Sequence, residues 1–401
     1  MIDRAQDGTS LSGRSVLVLA ASCGFAVANL YYSQPLLPAM AAAFDAGAEA
    51  QGAIAMLTQL GYASGLLLFG PLGDQLDRRK LITVLLLANV AALGLCASAQ
   101  NLPWLLAASV LLGLTAMSAQ VIIPAVSGQV DPAQRGQTVG RLLSGLFAGT
   151  LLARTVSGYV GAHAGWRSMF LLAAALDLVL IAMVWVHLPR AGSESDLSYA
   201  RLLRSLVELF AREPLLREAC LTGFLLFGAF NVLWGSLAMM LAGPPYGWGS
   251  EVAGLFGLVG LVGMFASPTI GRIADRFGGR RVVGGAAILV MLAFGLVAGS
   301  IWSIAWLIAG IVVLDLGSRA NLVANQTRLY ALLPAVRGRL NTIFMTCYFL
   351  GGAAGSTVGT FAAGRYGWHG VAIAGMLCAG SALIATVGVR AAAQRAVQGN
   401  D

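Results

Sequence analysis

Charge is scarce in this chain: Asp, Glu, Lys and Arg make up 10% of its 401 residues, where a globular domain carries about 25%. Histidine and cysteine are sparse too. His163, His187 and His369 fall at the ends of apolar runs, and Cys23, Cys96, Cys220, Cys347 and Cys378 lie inside them. Neither set has the spacing of a metal site or a disulfide framework. There is no Gly-x-x-x-x-Gly-Lys-Ser/Thr loop, which argues against ATP as a power source. No Ser/His/Asp or Cys/His constellation is present, so an enzyme is not expected, nor a cofactor or a metal. No apolar block alternates with the period of two that a β-barrel strand needs. Met1 to Ser12 is polar, and the apolar run after it has no clear cleavage site, so no cleaved signal peptide is expected.

What is abundant is apolar surface: 58% of the residues are hydrophobic and 51 are glycine. The apolar residues come in blocks of roughly 20, enough helix to cross a hydrocarbon core of about 30 Å. Lipid admits only helices and closed barrels. The expected fold class is therefore all-α, a polytopic membrane protein with twelve transmembrane helices in two six-helix, pseudo-symmetric halves. Spans are expected at about 15–38, 52–72, 81–99, 103–128, 137–161, 167–188, 218–242, 252–271, 281–300, 302–327, 339–362 and 368–390. The one long polar segment, Pro189 to Arg217, reads as a surface helix and linker. It divides the chain into an N-terminal bundle, 1–188, a cytoplasmic linker, 189–217, and a C-terminal bundle, 218–401.

The net charge of +8 fits topology better than nucleic acid, for which no partner role is expected. Of the 25 Lys and Arg residues, only Arg167 and Arg365 fall on one side of the expected membrane, and Arg154 and Arg319 fall inside helices. The rest share a side with both termini, which is then the cytoplasmic side of an inner membrane.

The halves repeat. Gly70-Pro-Leu-Gly-Asp-Gln-Leu-Asp-Arg-Arg-Lys80 is a charged turn between two apolar runs, and Gly271 to Arg281 is another. Gly70, Asp74, Arg79 and Lys80 stand over Gly271, Asp275, Arg280 and Arg281 at an offset of 201. At an offset of 202, Arg135-Gly136 matches Arg337-Gly338, Gly149 matches Gly351, and Gly165-Trp166 matches Gly367-Trp368. Asn29 matches Asn231, with Tyr32 opposite Trp234. Parallel six-helix repeats are an arrangement in which substrate binds between the halves near the midplane.

With twelve spans, a long central loop and this repeated turn, the chain resembles the major facilitator superfamily over essentially its whole length. The second turn fits the family pattern; the first departs at Gly73, Gln75 and Asp77. The resemblance implies a gating role for Asp74, Arg78 and Arg79, and for Asp275, Arg276 and Arg280. Asp74 would dock at the start of span eleven and Asp275 at the start of span five when the cytoplasmic side is closed. Span five, Gly140-(x8)-Gly149-(x3)-Ala153-Arg154-(x2)-Ser157-Gly158, resembles the glycine-rich fifth helix of drug/proton antiporters, with Arg154 in the proline slot. Asn29 to Pro38 resembles the first span of bacterial efflux members, including sugar-efflux types. Export is favoured, without the arginine such antiporters carry in span four; Ser109 lies near that place.

Ionisable groups at lipid depth are functional candidates by default. Asp315 and Arg319, four residues apart on span ten, share a helix face, either as proton-coupling groups or as a structural ion pair. Arg154 could anchor an anion or pair with Asp177 of span six. With spans one, four, seven and ten lining the cavity, as the resemblance implies, Asn29, Tyr32, Gln34, Gln120, Asn231, Trp234, Asn321 and Asn325 are the candidate substrate contacts. The glycine rows Gly140, Gly145, Gly149 and Gly351, Gly355, Gly359 would let helices approach and slide. The expectation is a secondary transporter, a monomer in the lipid bilayer, exporting a small drug-like compound or sugar against protons by alternating access. The alternatives are an uptake symporter or facilitator on the same fold, and remotely a non-transporting sensor.

Overall fold

A computed structural model of the chain describes residues 12–127, 129–130, 134–188, 198–260, 276–333 and 336–398. Span one opens as α1 (Gly13–Ala28), capped by the Ser12 hydroxyl, which accepts from the Ser15 amide. It breaks over 29–33, makes a 3-10 turn at Gln34–Leu36 and resumes as α2 (Leu37–Ala42). Pro35 and Pro38 account for the break, since each removes a helical N–H. Spans two and three are α3 (Ala48–Phe69) and α4 (Arg78–Ala97). Span four is α5 (Leu102–Thr115) and α6 (Ser118–Ser127), with a turn at Ala116 and Met117 between them. Pro124 inside α6 leaves the Gln120 carbonyl without its helical donor. Span five is α7 (Arg135–Ala164) and span six is α8 (Trp166–His187).

After a linker helix, α9 (Tyr199–Arg212), the second half begins with α10 (Pro214–Ala242). Span eight starts as α11 (Ser250–Val259), span nine is α12 (Gly279–Ala298) and span ten is α13 (Ile304–Leu332). The last element, α14 (Arg337–Gln398), runs 62 residues and folds at Gly367 into spans eleven and twelve. As one rod it would be roughly 90 Å long, three times a hydrocarbon core. The turn is built as in the first half: Gly165 has φ 82° and Gly367 φ 58°, a region only glycine enters freely. The Trp after each is buried.

Among the described residues eight helices are long and apolar enough to cross a bilayer, one of them the folded pair in α14; α1 and α11 are shorter apolar helices. The buried side chains form two cores that largely follow the halves. The glycine rows of spans five and eleven lie inside those halves. A Cβ at Gly149 would sit 2.2 Å from the Gly24 carbonyl oxygen, and one at Gly355 2.0 Å from that of Gly228. Except for Gly140, which has open space beside it, these glycines lock span five to span one and span eleven to span seven. The cross-half contacts are elsewhere. Gly158 of span five meets Gly254 of span eight, Gly52 of span two meets Thr360 of span eleven, and Gly70 meets Thr342. The charged turns mark one end of the bundle, its basic face.

Helix α9 is strongly amphipathic and buries Leu202 and Leu206. Tyr199 donates to the Leu68 carbonyl of span two at 2.8 Å, and Arg339 of span eleven donates to Ser205 at 3.1 Å. The linker helix thus touches both halves at the basic face.

Candidate functional site

Arg154 lies in the middle of α7 and is 1% exposed. Its Nε donates to Gln34 Oε1 at 2.7 Å. Its guanidinium carbon stands 3.9 Å from the ring centre of Trp234, across the halves, and 4.9 Å from that of Tyr31. Its Nη2 has no hydrogen-bond partner. Asp315 on α13 is 3% exposed, and its Oδ2 also lacks a partner. That oxygen lies against the backbone of span eight: a Cβ at Gly260 would be 2.4 Å from it. Arg319, one turn along, places its guanidinium carbon 4.4 Å from the Phe147 ring centre of the other half, and its Nε is unpartnered. Among the described residues no N···O distance within 4.0 Å joins Asp315 to either arginine. The ion pair that is one of the two readings of Asp315 and Arg319 is thus open in this conformation.

The three groups share a cavity of about 100 Å³ at the junction of the halves. Tyr31 of span one, Tyr62 of span two, Gln120 of span four, Phe227 and Phe230 of span seven, and Tyr348 and Phe349 of span eleven also line it. The pattern is that of a ligand pocket, apolar walls with a few placed polar groups. The broken spans account for two of these. The interruption after Ala28 turns Tyr31 inward, and the break before α6 does the same for Gln120, whose Nε2 reaches the Tyr62 hydroxyl at 3.5 Å.

The other candidate contacts lie off this wall. Gln34 and Trp234 hold Arg154 from the side away from the cavity, where they line a small void of about 10 Å³. Asn29 is buried against span six and donates to both oxygens of Asp177, at 2.9 and 3.1 Å. Asp177 therefore pairs with Asn29, and Arg154 does not reach it. Asn231 accepts from Gln59 of span two at 3.3 Å, a hydrogen bond between the halves. Asn321 and Asn325 bond to each other at 2.8 Å, and Asn325 to Thr222 at 3.2 Å, inside the second half. Tyr32 is buried beside the cavity but does not line it. Both tyrosines lie in the break between α1 and the 3-10 turn, and of the two Tyr31 lines the cavity. Tyr62 and Tyr348 are further groups that sequence reading missed; a phenol in mid-span was the available signal.

A profile of the Major Facilitator Superfamily matches residues 18–281 and 246–398. The chain belongs to the major facilitator superfamily. It is 38% identical over 365 residues to YgaY of Escherichia coli (strain K12), an uncharacterized transporter, covering 91% of this chain and 93% of that one. It is 35% identical over 381 residues to the transporter SCO4007 of Streptomyces coelicolor, covering 93% and 88%. Among solved structures, the nucleoside transporter NupG superposes with a TM-score of 0.73 at 14% identity, covering 94% of this chain and 98% of that one. This chain is a multi-pass membrane transporter and not an enzyme.

In this transporter the two charged turns are built differently. Asp77, a departure in the first copy, is the N-cap of α4 and accepts from the Lys80 amide at 3.1 Å. The residue at the matching place in the second copy is Gly278, with φ 85°. One turn starts its helix with a side-chain cap, the other with a left-handed glycine. Arg78 is buried and donates to the Gly73 carbonyl at 3.0 Å, and Arg79 stacks 4.0 Å from the Trp185 ring centre. In the second half Arg276 lies 5.4 Å from the Phe277 ring centre. Arg280 and Arg328 flank the buried Glu218, at 3.4 and 3.0 Å. Arg328 also donates to Asn325, which joins this cluster to the Asn321 chain. The Asp74 side chain and Asp275 lie outside the described residues.

Proposed function

We propose that this transporter exports a small organic molecule in exchange for protons, by alternating access across the inner membrane, with both termini in the cytoplasm. The observation that carries this reading is Asp315. It is a buried carboxylate with an unpartnered oxygen, in a cavity between the halves, within the field of two arginines. An ionisable group at that depth belongs to an ion pathway or a substrate site more often than to packing. In one state Asp315 carries a proton; in the other it is ionised and drawn toward Arg319 or Arg154. The exchange of one state for the other is coupled to which face is open.

Residues 1–188 and 218–401 act as the two rocking bodies of a monomer, with 189–217 as the tether. Asp74 and Asp275 dock at the starts of spans eleven and five when the cytoplasmic side is closed. Arg78, Arg79, Arg276 and Arg280 support those turns.

The test is counterflow in proteoliposomes under an imposed pH gradient, screened over sugars, organic acids and lipophilic cations. Substrate accumulation accompanied by proton movement supports the reading. Exchange that ignores the gradient and moves no protons overturns it. Asp315→Asn is expected to retain substrate exchange while losing its dependence on the gradient. If that variant still couples, the proton site lies elsewhere.

A further inference from the structure

We infer that the cavity takes an organic anion, a carboxylate on an apolar or aromatic body, with its charged group held by Arg154 and Arg319. The inference rests on the transport reading above and names the substrate class of the same site. Charge decides first. Two guanidiniums face the cavity and one carboxylate answers them. Arg154 is 1% exposed and Asp315 3%, while Arg319 is half-buried, so water screens the imbalance only in part. A buried cation without a partner is costly and is normally matched by an anion. Asp315 can match one arginine; the second needs a negative charge that the described wall does not supply.

The unpartnered atoms say where that charge sits. Arg154 Nη2 and Arg319 Nε have no acceptor, and the planar fork of a guanidinium is shaped for a carboxylate. One face of each guanidinium is already covered, Arg154 by Trp234 and Arg319 by Phe147. The N–H edges are what remain for a ligand.

The wall decides the rest of the molecule. Tyr31, Phe230, Tyr348 and Phe349 offer ring surface around the charged groups, which suits a flat apolar body. A cation would face two like charges with one counter-ion. That disfavours a cation against an anion.

The test is equilibrium binding to the purified full-length protein in detergent, read by calorimetry and by tryptophan fluorescence, since Trp234 lies on Arg154. The probes are naphthoate, benzoate and hexanoate, the neutral amide naphthamide, and naphthylmethylammonium. A carboxylate probe is expected to bind, with the amide and the ammonium weaker by about tenfold or more, the value of one charge-assisted hydrogen bond. Arg154→Gln is expected to weaken carboxylate binding by a similar factor while leaving the amide's affinity close to that of wild type. Arg154→Lys should restore part of the loss. Thermal unfolding and size-exclusion profiles check that each variant is folded. If Arg154→Gln does not fold, Arg319→Gln and the comparison of charge isosteres on wild-type protein make the same test. The inference is overturned if the ammonium binds more tightly than the carboxylate or if no carboxylate probe binds. It is also overturned if Arg154→Gln and Arg319→Gln both bind naphthoate as wild type does. Because binding is measured without a gradient, the two readings fail separately. Naphthoate binding without proton movement in proteoliposomes removes proton exchange and leaves the anion. Proton-driven transport of the ammonium probe without carboxylate binding does the reverse.

Discussion

Arg154 takes contacts from both halves at once: Gln34 and Tyr31 from the first and Trp234 from the second. A guanidinium over an indole contributes about 0.5–2 kcal/mol, the upper figure when desolvated. Trp234→Ala should therefore loosen the contact between the halves beside the cavity. Labelling of a cysteine placed near Gln34 from the opposite face would rise, and Trp234→Phe would move it less. The Asn29–Asp177 pair carries a different expectation. It is buried and lies off the cavity, and the single Asn29 amide nitrogen donates to both carboxylate oxygens. Asp177→Ala leaves the Asn29 amide unmatched and should cost about 1–3 kcal/mol of stability, read as a lower unfolding temperature, with substrate affinity unchanged. At this scale the sequence marked Arg154, Asp315 and Arg319 as charges at lipid depth. Rotation about a helix axis, which decides between Tyr31 and Tyr32 or between Asn29 and Gln120 as wall residues, depends on how the broken spans pack.

Span eight shows what an element adds. Gly254, Gly257 and Gly260 recur on one face of its described part and lie against span five. A Cβ at Gly254 would come 2.5 Å from the Arg154 carbonyl oxygen, and one at Gly257 3.0 Å from the Arg154 Cβ. Gly254→Val should hold these helices apart, since backbone cannot give way as a flexible side chain can. Accessibility of cysteines on spans five and eight from the opposite face should increase, with transport lost. The charged turns give a second case. Asp77→Ala removes the cap of α4 and should cost about 0.5–2 kcal/mol, measured by thermal unfolding of the purified protein. The sequence displayed Asp77 as a deviation from a repeat. Its reason emerged only with the backbone, which enters α4 through Asp77 at φ −55° and α12 through a glycine at φ 85°.

On the scale of the whole molecule, the halves meet along spans two and eleven and along spans five and eight. A Cβ at Gly364 would lie 3.3 Å from the Ala48 Cβ across the first of these seams, near the 3.5–4.5 Å range typical of a disulfide. The double variant Ala48→Cys/Gly364→Cys should form that bridge on oxidation and hold the opposite face closed. Transport should stop and return on reduction, while each single variant remains active. If the oxidised protein transports normally, the seam does not open in the cycle. The row glycines other than Gly140 pack spans one and five together in the first half and spans seven and eleven in the second.

The sequence by itself determined the class of molecule. Twelve apolar blocks, two matched turns and one polar linker leave few arrangements, because lipid demands satisfied backbone and the repeat demands two like halves. It also marked the three charges, since any ionisable group at that depth stands out against an apolar background. Tertiary structure alone decided which polar residues share the cavity. Asn29 went to Asp177, Asn231 to Gln59, and Asn321 and Asn325 to each other. An amide buried in an apolar bundle takes whatever partner the neighbouring helix presents, and that depends on helix rotation and approach. Arg154, Asp315 and Arg319 line the cavity between the halves and have atoms without a hydrogen-bond partner.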